Sequence, residues 1–232
     1  MAFMPEHAPL VVLSFLGTCL LLGLASVVFA YGWMARQPRR AGQALGAAVI
    51  IAGLYITLLV GAALASRERT LGPGEGKYFC EVDCHIVYSI ESVRTAKTLG
   101  PVEHPLSTGG LFHIVRIKTW FDERTTASWR PRDLALTPDP RLVVVVDGYG
   151  NYYAASRTGQ GALEQVEGAT TPLTRSLRPG ESYTTDLVFD LPADRPNFRL
   201  LLTTDDPVTW VLIGHEASLF HKKILFSLQP TP

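Results

Sequence analysis

The sequence lacks the features that mark a nucleic-acid-binding protein. Its 21 Lys and Arg residues are balanced by 21 Asp and Glu residues, so the formal net charge is zero. Outside one group of arginines, Arg36, Arg39 and Arg40, there is no basic cluster and no stripe of aromatic and basic residues. Proteins that bind the phosphate backbone need such a positively charged surface. The sequence therefore predicts no nucleic-acid partner.

The sequence also lacks the common catalytic signatures. It contains no G-x-S-x-G nucleophile elbow, no H-E-x-x-H zinc motif and no glycine-rich phosphate loop. The neighbouring Asp205 and Asp206 fall between predicted strands, where aspartate commonly forms turns. We therefore expect a protein that is not an enzyme.

Charge is missing from two long stretches near the N-terminus, residues 8–35 and 41–66. About 20 apolar residues suffice to cross the ~30 Å hydrocarbon core of a membrane as a helix. The first stretch is longer than the apolar part of a signal peptide and no Lys or Arg precedes it, which favours a membrane anchor over a cleaved signal. The sequence predicts a short N-terminus over residues 1–7 and transmembrane helices over residues 8–35 and 42–66.

Positive charge between the two apolar stretches sets the expected orientation. Arg36, Arg39 and Arg40 lie in the predicted 36–41 loop, and loops rich in Lys and Arg face the cytoplasm. The N-terminus and the region after the second helix are then both periplasmic. We expect a two-pass protein of a bacterial inner membrane, with membrane lipid as one partner.

The sequence changes character after residue 66. Residues 67–76, RERTLGPGEG, are polar and contain three glycines and a proline, a composition typical of a linker. In the following region, 77–228, short apolar runs alternate with period two. In ESYTTDLVFDL, for example, Tyr183, Leu187 and Phe189 share one face of a predicted strand. Residues 229–232 are a tail.

Further runs in this region are also predicted strands: HIVYSI, HIVRIKTWF, RLVVVVDG, FRLLLTT, TWVLIG and KILFSL. Turn residues separate them, and the only helical candidate is ALEQVEG at residues 162–168, with one or two turns. This pattern favours an antiparallel β-sandwich. The predicted fold class is therefore mainly β, a sandwich preceded by two transmembrane α-helices.

Two stretches of the 77–228 region resemble immunoglobulin-like domains of unknown function found on exported bacterial proteins. LRPGESYTTDLVFDLP with FRLLLTT, around residues 177–203, resembles their late strands, and VVVVDGYGNYY, around residues 141–155, is similar to their central hairpin. The resemblance implies an immunoglobulin-like sandwich that acts as a binding or structural module, and it implies no residue roles.

The stretch FCEVDCH, residues 79–85, contains Cys80, Cys84 and His85. Outside the cytoplasm thiols tend to oxidise, so a disulfide between the two cysteines is one expectation. It requires a bent backbone, because an extended strand would separate the Cα atoms by about 13 Å and a disulfide needs less than about 7 Å.

The alternatives for the same stretch are free cysteines and a cofactor site, including a single metal ion held by the two thiolates with one or two histidines. The layout of two helices before an exported β domain resembles subunit II of cytochrome oxidase, whose copper centre also uses two cysteines four apart. The residues that follow Cys84 depart from that motif, and all three methionines precede residue 35, so no exported thioether ligand exists. A widened C-x-x-C-H haem c attachment with His85 as axial ligand also stays open. His215 and His221 are the candidate additional metal ligands, although local hydrogen bonding explains both as well.

The second apolar stretch carries small residues along one side of a helix, namely Gly46, Gly53, Thr57 and Gly61. Such stripes let membrane helices approach closely, and the first helix offers Gly17 and Gly23 as one possible counterpart. We expect a membrane-anchored binding or structural module, most simply an accessory subunit of a larger membrane complex such as a respiratory or photosynthetic electron-transfer complex. The alternative is a redox protein that carries copper or haem c at residues 80–85.

Overall fold

A computed structural model describes residues 2–3, 8–79, 85–126 and 129–229. The chain divides into two compact units. The β unit comprises Met1–Pro5, Glu68–Asp205 and Lys223–Pro232, and the helical unit comprises Glu6–Arg67 and Asp206–Lys222.

The helical unit contains two long helices, α1 (Ala8–Met34) and α2 (Pro38–Ala65). Both are long and apolar enough to cross a membrane. In the most apolar part of each helix, 0% of the residues of α1 and 11% of those of α2 are buried. Helix α2 begins four residues earlier than predicted, because Pro38 fits the first turn of a helix. Arg36, with φ 54°, lies in the short connection before it.

Helices α1 and α2 pack through one face of each. On α2 this face carries small and apolar residues whose spacing alternates between three and four, and its buried members are Ala41, Ala44, Leu59 and Ala63. On α1, Gly32 is buried, and a Cβ added to it would lie 2.9 Å from the backbone nitrogen of Ala41. The ring centroids of Phe15 and Tyr55 lie 6.4 Å apart.

The β unit contains the strands, which in chain order are β1 (Ala2–Phe3), β2 (Arg69–Leu71), β3 (Gly76–Phe79), β4 (Ile86–Leu99), β5 (Leu106–Phe121), β6 (Leu142–Val146), β7 (Tyr152–Ala154), β8 (Ser182–Leu191), β9 (Arg199–Thr203) and β10 (Ile224–Ser227). A third helix, α3 (Arg157–Glu167), follows β7.

Within the described residues these strands form two five-stranded sheets. The first has the order β1-β3-β4-β5-β8, and the second has the order β2-β10-β9-β6-β7. All pairs are antiparallel except β1 with β3 and β2 with β10, which are parallel. The prediction of antiparallel strands preceded by two apolar helices is therefore confirmed.

The two sheets share one hydrophobic core. It contains buried residues from the first sheet and from the second, among them Tyr88, Ile117, Phe189, Val145, Leu200, Leu202 and Phe226. As expected from the period-two pattern of β8, Tyr183 and Phe189 lie in this core and Leu187 packs against it; Leu191 is also buried there. Val188, on the opposite face of β8, is also buried because Leu163 of α3 packs against that face.

Three local predictions differ from the structure. The predicted linker contains β2, because Leu71 is fully buried in the shared core and pairs with β10. Helix α3 begins five residues before the predicted helical turns, after Ser156, whose side chain accepts a hydrogen bond from the backbone of Gly159. Its glycines weaken the helical signal in the sequence.

TWVLIG is not a strand, although it is apolar. Pro207–Val211 forms a 3₁₀ turn in the helical unit. Asp206 caps this turn by accepting a hydrogen bond from the backbone of Val208 at 3.0 Å, and Pro207 has no N–H to give to a sheet. The apolar residues here belong to a different packing environment from that of the strands.

Candidate functional site

The cysteine stretch joins two paired strands. Phe79, at the end of β3, pairs with Ile86, at the start of β4. Cys80 and Cys84 lie outside the described residues, so the expected disulfide stays a prediction. The described neighbours of the stretch, in contrast, form a detailed polar cluster built from Tyr78, His85, Asp122, Arg124 and Thr125.

His85 is a buried member of this cluster, with 5% of its surface exposed. Its ring stacks on Phe121 with centroids 5.0 Å apart and planes at 12°. Its Nδ1 lies 2.6 Å from Oγ1 of Thr125, and that hydroxyl donates its proton to the backbone oxygen of Asp122 at 2.8 Å. Because a threonine hydroxyl has one proton, Nδ1 of His85 must be the donor to Thr125.

Asp122 is the centre of the cluster. Its carboxylate accepts two hydrogen bonds from the guanidinium of Arg124, each at 3.0 Å, and a further one from the hydroxyl of Tyr78. The bonds from Arg124 lower the pKa of Asp122 to about 2, although burial opposes this, and the bond from Tyr78 adds to the effect. Burial, followed by the bond to Asp122, raises the pKa of Tyr78. The Tyr78–Asp122 hydrogen bond connects β3 to the residue that follows β5.

His215 and His221 lie in the helical unit, whereas His85 lies in the β unit. Nδ1 of His215 accepts a hydrogen bond from the backbone of Ala217 at 3.0 Å, and Nδ1 of His221 lies 2.7 Å from the backbone oxygen of Lys222. Both histidines thus make the local contacts that were the alternative to metal binding. Among the described residues, no group of three or more His, Cys, Asp and Glu side chains is placed to hold a metal ion.

Lys77 is a buried charge that the sequence does not reveal. Only 1% of its surface is exposed, and its Nζ donates hydrogen bonds to the backbone oxygens of Leu202 at 2.6 Å and Ile224 at 3.3 Å. Since Lys77 is on β3 and its acceptors are on the second sheet, the side chain crosses the core and ties the two sheets together. The pattern of apolar and polar residues around GKYF does not predict that Lys77 is buried, because a lysine in a strand normally faces water.

The glycine stripe of α2 is exposed on the helix surface. A Cβ added to Gly46, Gly53 or Gly61 would meet nothing within 4 Å, and Thr57 donates its hydroxyl to the backbone oxygen of Gly53 at 2.8 Å. Tyr55 lies on the face of α2 that is toward α1. Gly53 is two residues away from it, and two residues correspond to a rotation of about 200° around the helix axis. The stripe therefore points away from α1, and Gly32 makes the close contact between the helices.

Comparison with known proteins assigns no family. No family model matches the chain, and no curated protein matches it. Among solved structures, a conserved hypothetical protein from Bacillus anthracis is similar with a TM-score of 0.40 and 13% sequence identity, over 53% of this chain and 84% of that one. A likeness at this level carries no conclusion about function.

Proposed function

We propose that the chain is a two-pass inner-membrane protein of a Gram-negative-type bacterium with an immunoglobulin-like β domain in the periplasm. It acts by binding, as an accessory or stabilising subunit of a larger membrane complex such as a respiratory or photosynthetic electron-transfer complex. The role is not enzymatic. Two sheets that share one core, in the β unit, support the choice of a binding module.

Two observations support the orientation. Arg36 lies between α1 and α2, and Arg39 and Arg40 lie in the first turn of α2, where the positive-inside rule places the cytoplasm. Ala2–Phe3 pairs with β3 of the β unit. The residues before α1 and the domain after α2 then share one side of the membrane, as two crossings require.

The open glycine stripe of α2 carries the proposal of a membrane partner. Lipid gives apolar helices no hydrophobic reason to associate, so close backbone approach through small residues is what stabilises helix pairs in a membrane. In this chain the contact with α1 uses the opposite face of α2. The face with Gly46, Gly53, Thr57 and Gly61 is therefore left for a helix of another subunit.

Co-purification from gently extracted native membranes tests this role. We expect the wild-type protein to carry other membrane subunits, and the double variant Gly53→Leu with Gly61→Leu to lose them while remaining in the membrane. Gly17→Leu is the matched control, because it adds the same side chain to α1 at a glycine with nothing within 4 Å of its added Cβ. Equal subunit content in both variants would show that this face of α2 does not bind the complex.

A metal- or haem-carrying redox protein is the second candidate, and the hydrogen bonding of His85 favours it. A hydrogen bond donated from Nδ1 is also found in many histidine ligands of metals, which bind the metal through Nε2. Cys80 and Cys84 would supply the sulfur atoms for copper or for haem c. Metal analysis and visible absorbance of the full-length protein test this. Under this candidate His85→Ala loses the cofactor and His104→Ala, at an exposed histidine, retains it. A colourless, metal-free wild-type protein would contradict it.

A further inference from the structure

The segment Asp206–Lys222, here called the 206–222 segment, packs on the long helices. The hydroxyl of Tyr55 in α2 donates to the backbone oxygen of Val211 at 2.7 Å. The backbone N–H of Lys222 donates to the side chain of Ser66, directly after α2, at 2.8 Å. Thr209 and Leu212 are buried. The segment is thus hydrogen-bonded to α2 through Val211 and, through Lys222, to the residue that follows the helix.

The contact with Tyr55 places Val211 deep along α2. Tyr55 lies ten residues before Ala65, the last residue of the helix, which is about 15 Å along its axis. Counted from Ala41, the first residue after the arginines, about 20 residues fill the hydrocarbon core and end near residue 60. Tyr55 then lies about 7 Å inside the hydrocarbon boundary, at the depth reached by interfacial helices.

The outward side of the segment is apolar. Val208, Trp210, Leu219 and Phe220 are 50%, 44%, 49% and 75% exposed. Asp205 and Asp206 precede the apolar part of the segment, and Lys222 and Lys223 follow it. Between them the charged residue is Glu216. Both carboxylate oxygens of Glu216 are buried. Trp and other aromatic side chains at such a level are typical of the membrane interface.

Part of the segment's backbone hydrogen bonding is internal. Consecutive turns use the N–H groups of Thr209, Leu212, His215, Ser218, Leu219 and His221, each bonded to a backbone oxygen of the same segment. This matters because unpaired backbone groups are costly next to hydrocarbon. Phe220 has φ 63°, a left-handed conformation that is strained for a bulky residue. Its ring is exposed.

We propose that the 206–222 segment inserts into lipid. Trp210 and Phe220, with Val208 and Leu219, enter the boundary between head groups and acyl chains in the leaflet on the side of the β domain. The chain then contacts the membrane through a third element, which lies between β9 and β10 in sequence. This inference rests on the proposed membrane placement of α1 and α2.

Tryptophan quenching by brominated phosphatidylcholine tests the inference on the full-length protein in lipid nanodiscs. The chain has four tryptophans, Trp33, Trp120, Trp129 and Trp210, so variants that retain one of them and carry Phe at the other three report each site separately. We expect the Trp210-only protein to lose most of its emission in brominated lipid and to resist aqueous acrylamide. Should a triple substitution prevent folding, Trp210→Phe in the wild-type chain must remove the same lipid-quenched emission.

Two matched variants separate the possible failures. Trp33-only reports α1, where Trp33 is 74% exposed, and Trp129-only reports an exposed position of the β unit. Quenching of Trp33 but not of Trp210 by bromine overturns the inference and leaves the membrane placement intact. A lack of quenching at both overturns the membrane placement itself. A Trp210 shielded from both bromine and acrylamide means that protein, such as a second copy of this chain, covers the segment, which also overturns lipid insertion.

Discussion

Tyr55 and Val211 are joined by a hydrogen bond across 156 residues of sequence. The bond connects a predicted transmembrane helix to a turn that the sequence alone assigned to a strand. The backbone oxygen of Val211 thereby has a partner in apolar surroundings, where an unpaired carbonyl is costly.

Removal of the Tyr55 hydroxyl tests this contact. Tyr55→Phe retains the ring beside Phe15 but leaves the oxygen of Val211 without its donor, so we expect a loss of about 1–2 kcal/mol in stability. Thermal unfolding in a mild detergent measures it. Tyr31→Phe is the control, because Tyr31 is 58% exposed. Equal unfolding temperatures for the two variants would contradict the stabilising role of this hydrogen bond.

Gly32 is predicted to be essential for the packing of α1 on α2. Gly32→Ala places a Cβ 2.9 Å from the backbone nitrogen of Ala41, so the helices must separate, at a cost of about 1–3 kcal/mol. Gly23→Ala makes the same chemical change where an added Cβ has nothing within 4 Å. Thermal unfolding and limited proteolysis should show destabilisation for Gly32→Ala, and a neutral result there would refute the close approach.

Lys77→Met tests the tie between the two sheets. The substitution leaves the backbone oxygens of Leu202 and Ile224 without this donor, and we expect a loss of about 1–3 kcal/mol. Lys97 is a suitable control, because its Nζ also donates to two backbone oxygens, at 3.1 and 2.7 Å, but at the exposed surface. Denaturant unfolding should show a small effect for Lys97→Met. A more stable Lys77→Met protein would mean that burial of the charge costs more than its hydrogen bonds contribute.

Asp122 makes the stability of the β unit depend on acid pH. Its pKa is lowered from 3.8 to about 2 in the folded protein, so its contribution is complete above the unfolded value and is lost as pH falls through the folded value. We expect about 1–2 kcal/mol, allowing for the solvent exposure of Arg124. Unfolding followed between pH 5 and pH 2 should show this loss in the wild type and not in Asp122→Asn. An unchanged pH profile in that variant would contradict it.

The parts of the fold that the sequence reveals are those with a regular pattern. Two charge-free stretches predict α1 and α2, and period-two alternation predicts β8 with Tyr183 and Phe189 in the core. TWVLIG was assigned wrongly, because an apolar run does not say whether it faces a sheet or a helix. Gly32 and Lys77 gave no signal, since their roles depend on which chain segment lies opposite.

The candidate site was predicted in part. The sequence singled out His85, which is buried beside Phe121, but not Asp122 or Thr125, which are about 40 residues away in sequence and meet it through the pairing of β4 with β5. The expectation for Cys80 and Cys84 stays a prediction. The small-residue stripe of α2 stays a predicted partner surface, and its direction away from α1 was evident only from the structure.

Native mass spectrometry of the full-length protein, released gently from its own membrane, tests the proposed role most directly. Thiol alkylation with and without reduction, run in parallel, reports on Cys80 and Cys84. An accessory subunit is predicted to appear with other membrane subunits and without metal or haem, with both cysteines alkylated only after reduction. A protein that appears alone, with a metal or haem that is lost in Cys84→Ser, would contradict that role and establish the redox alternative.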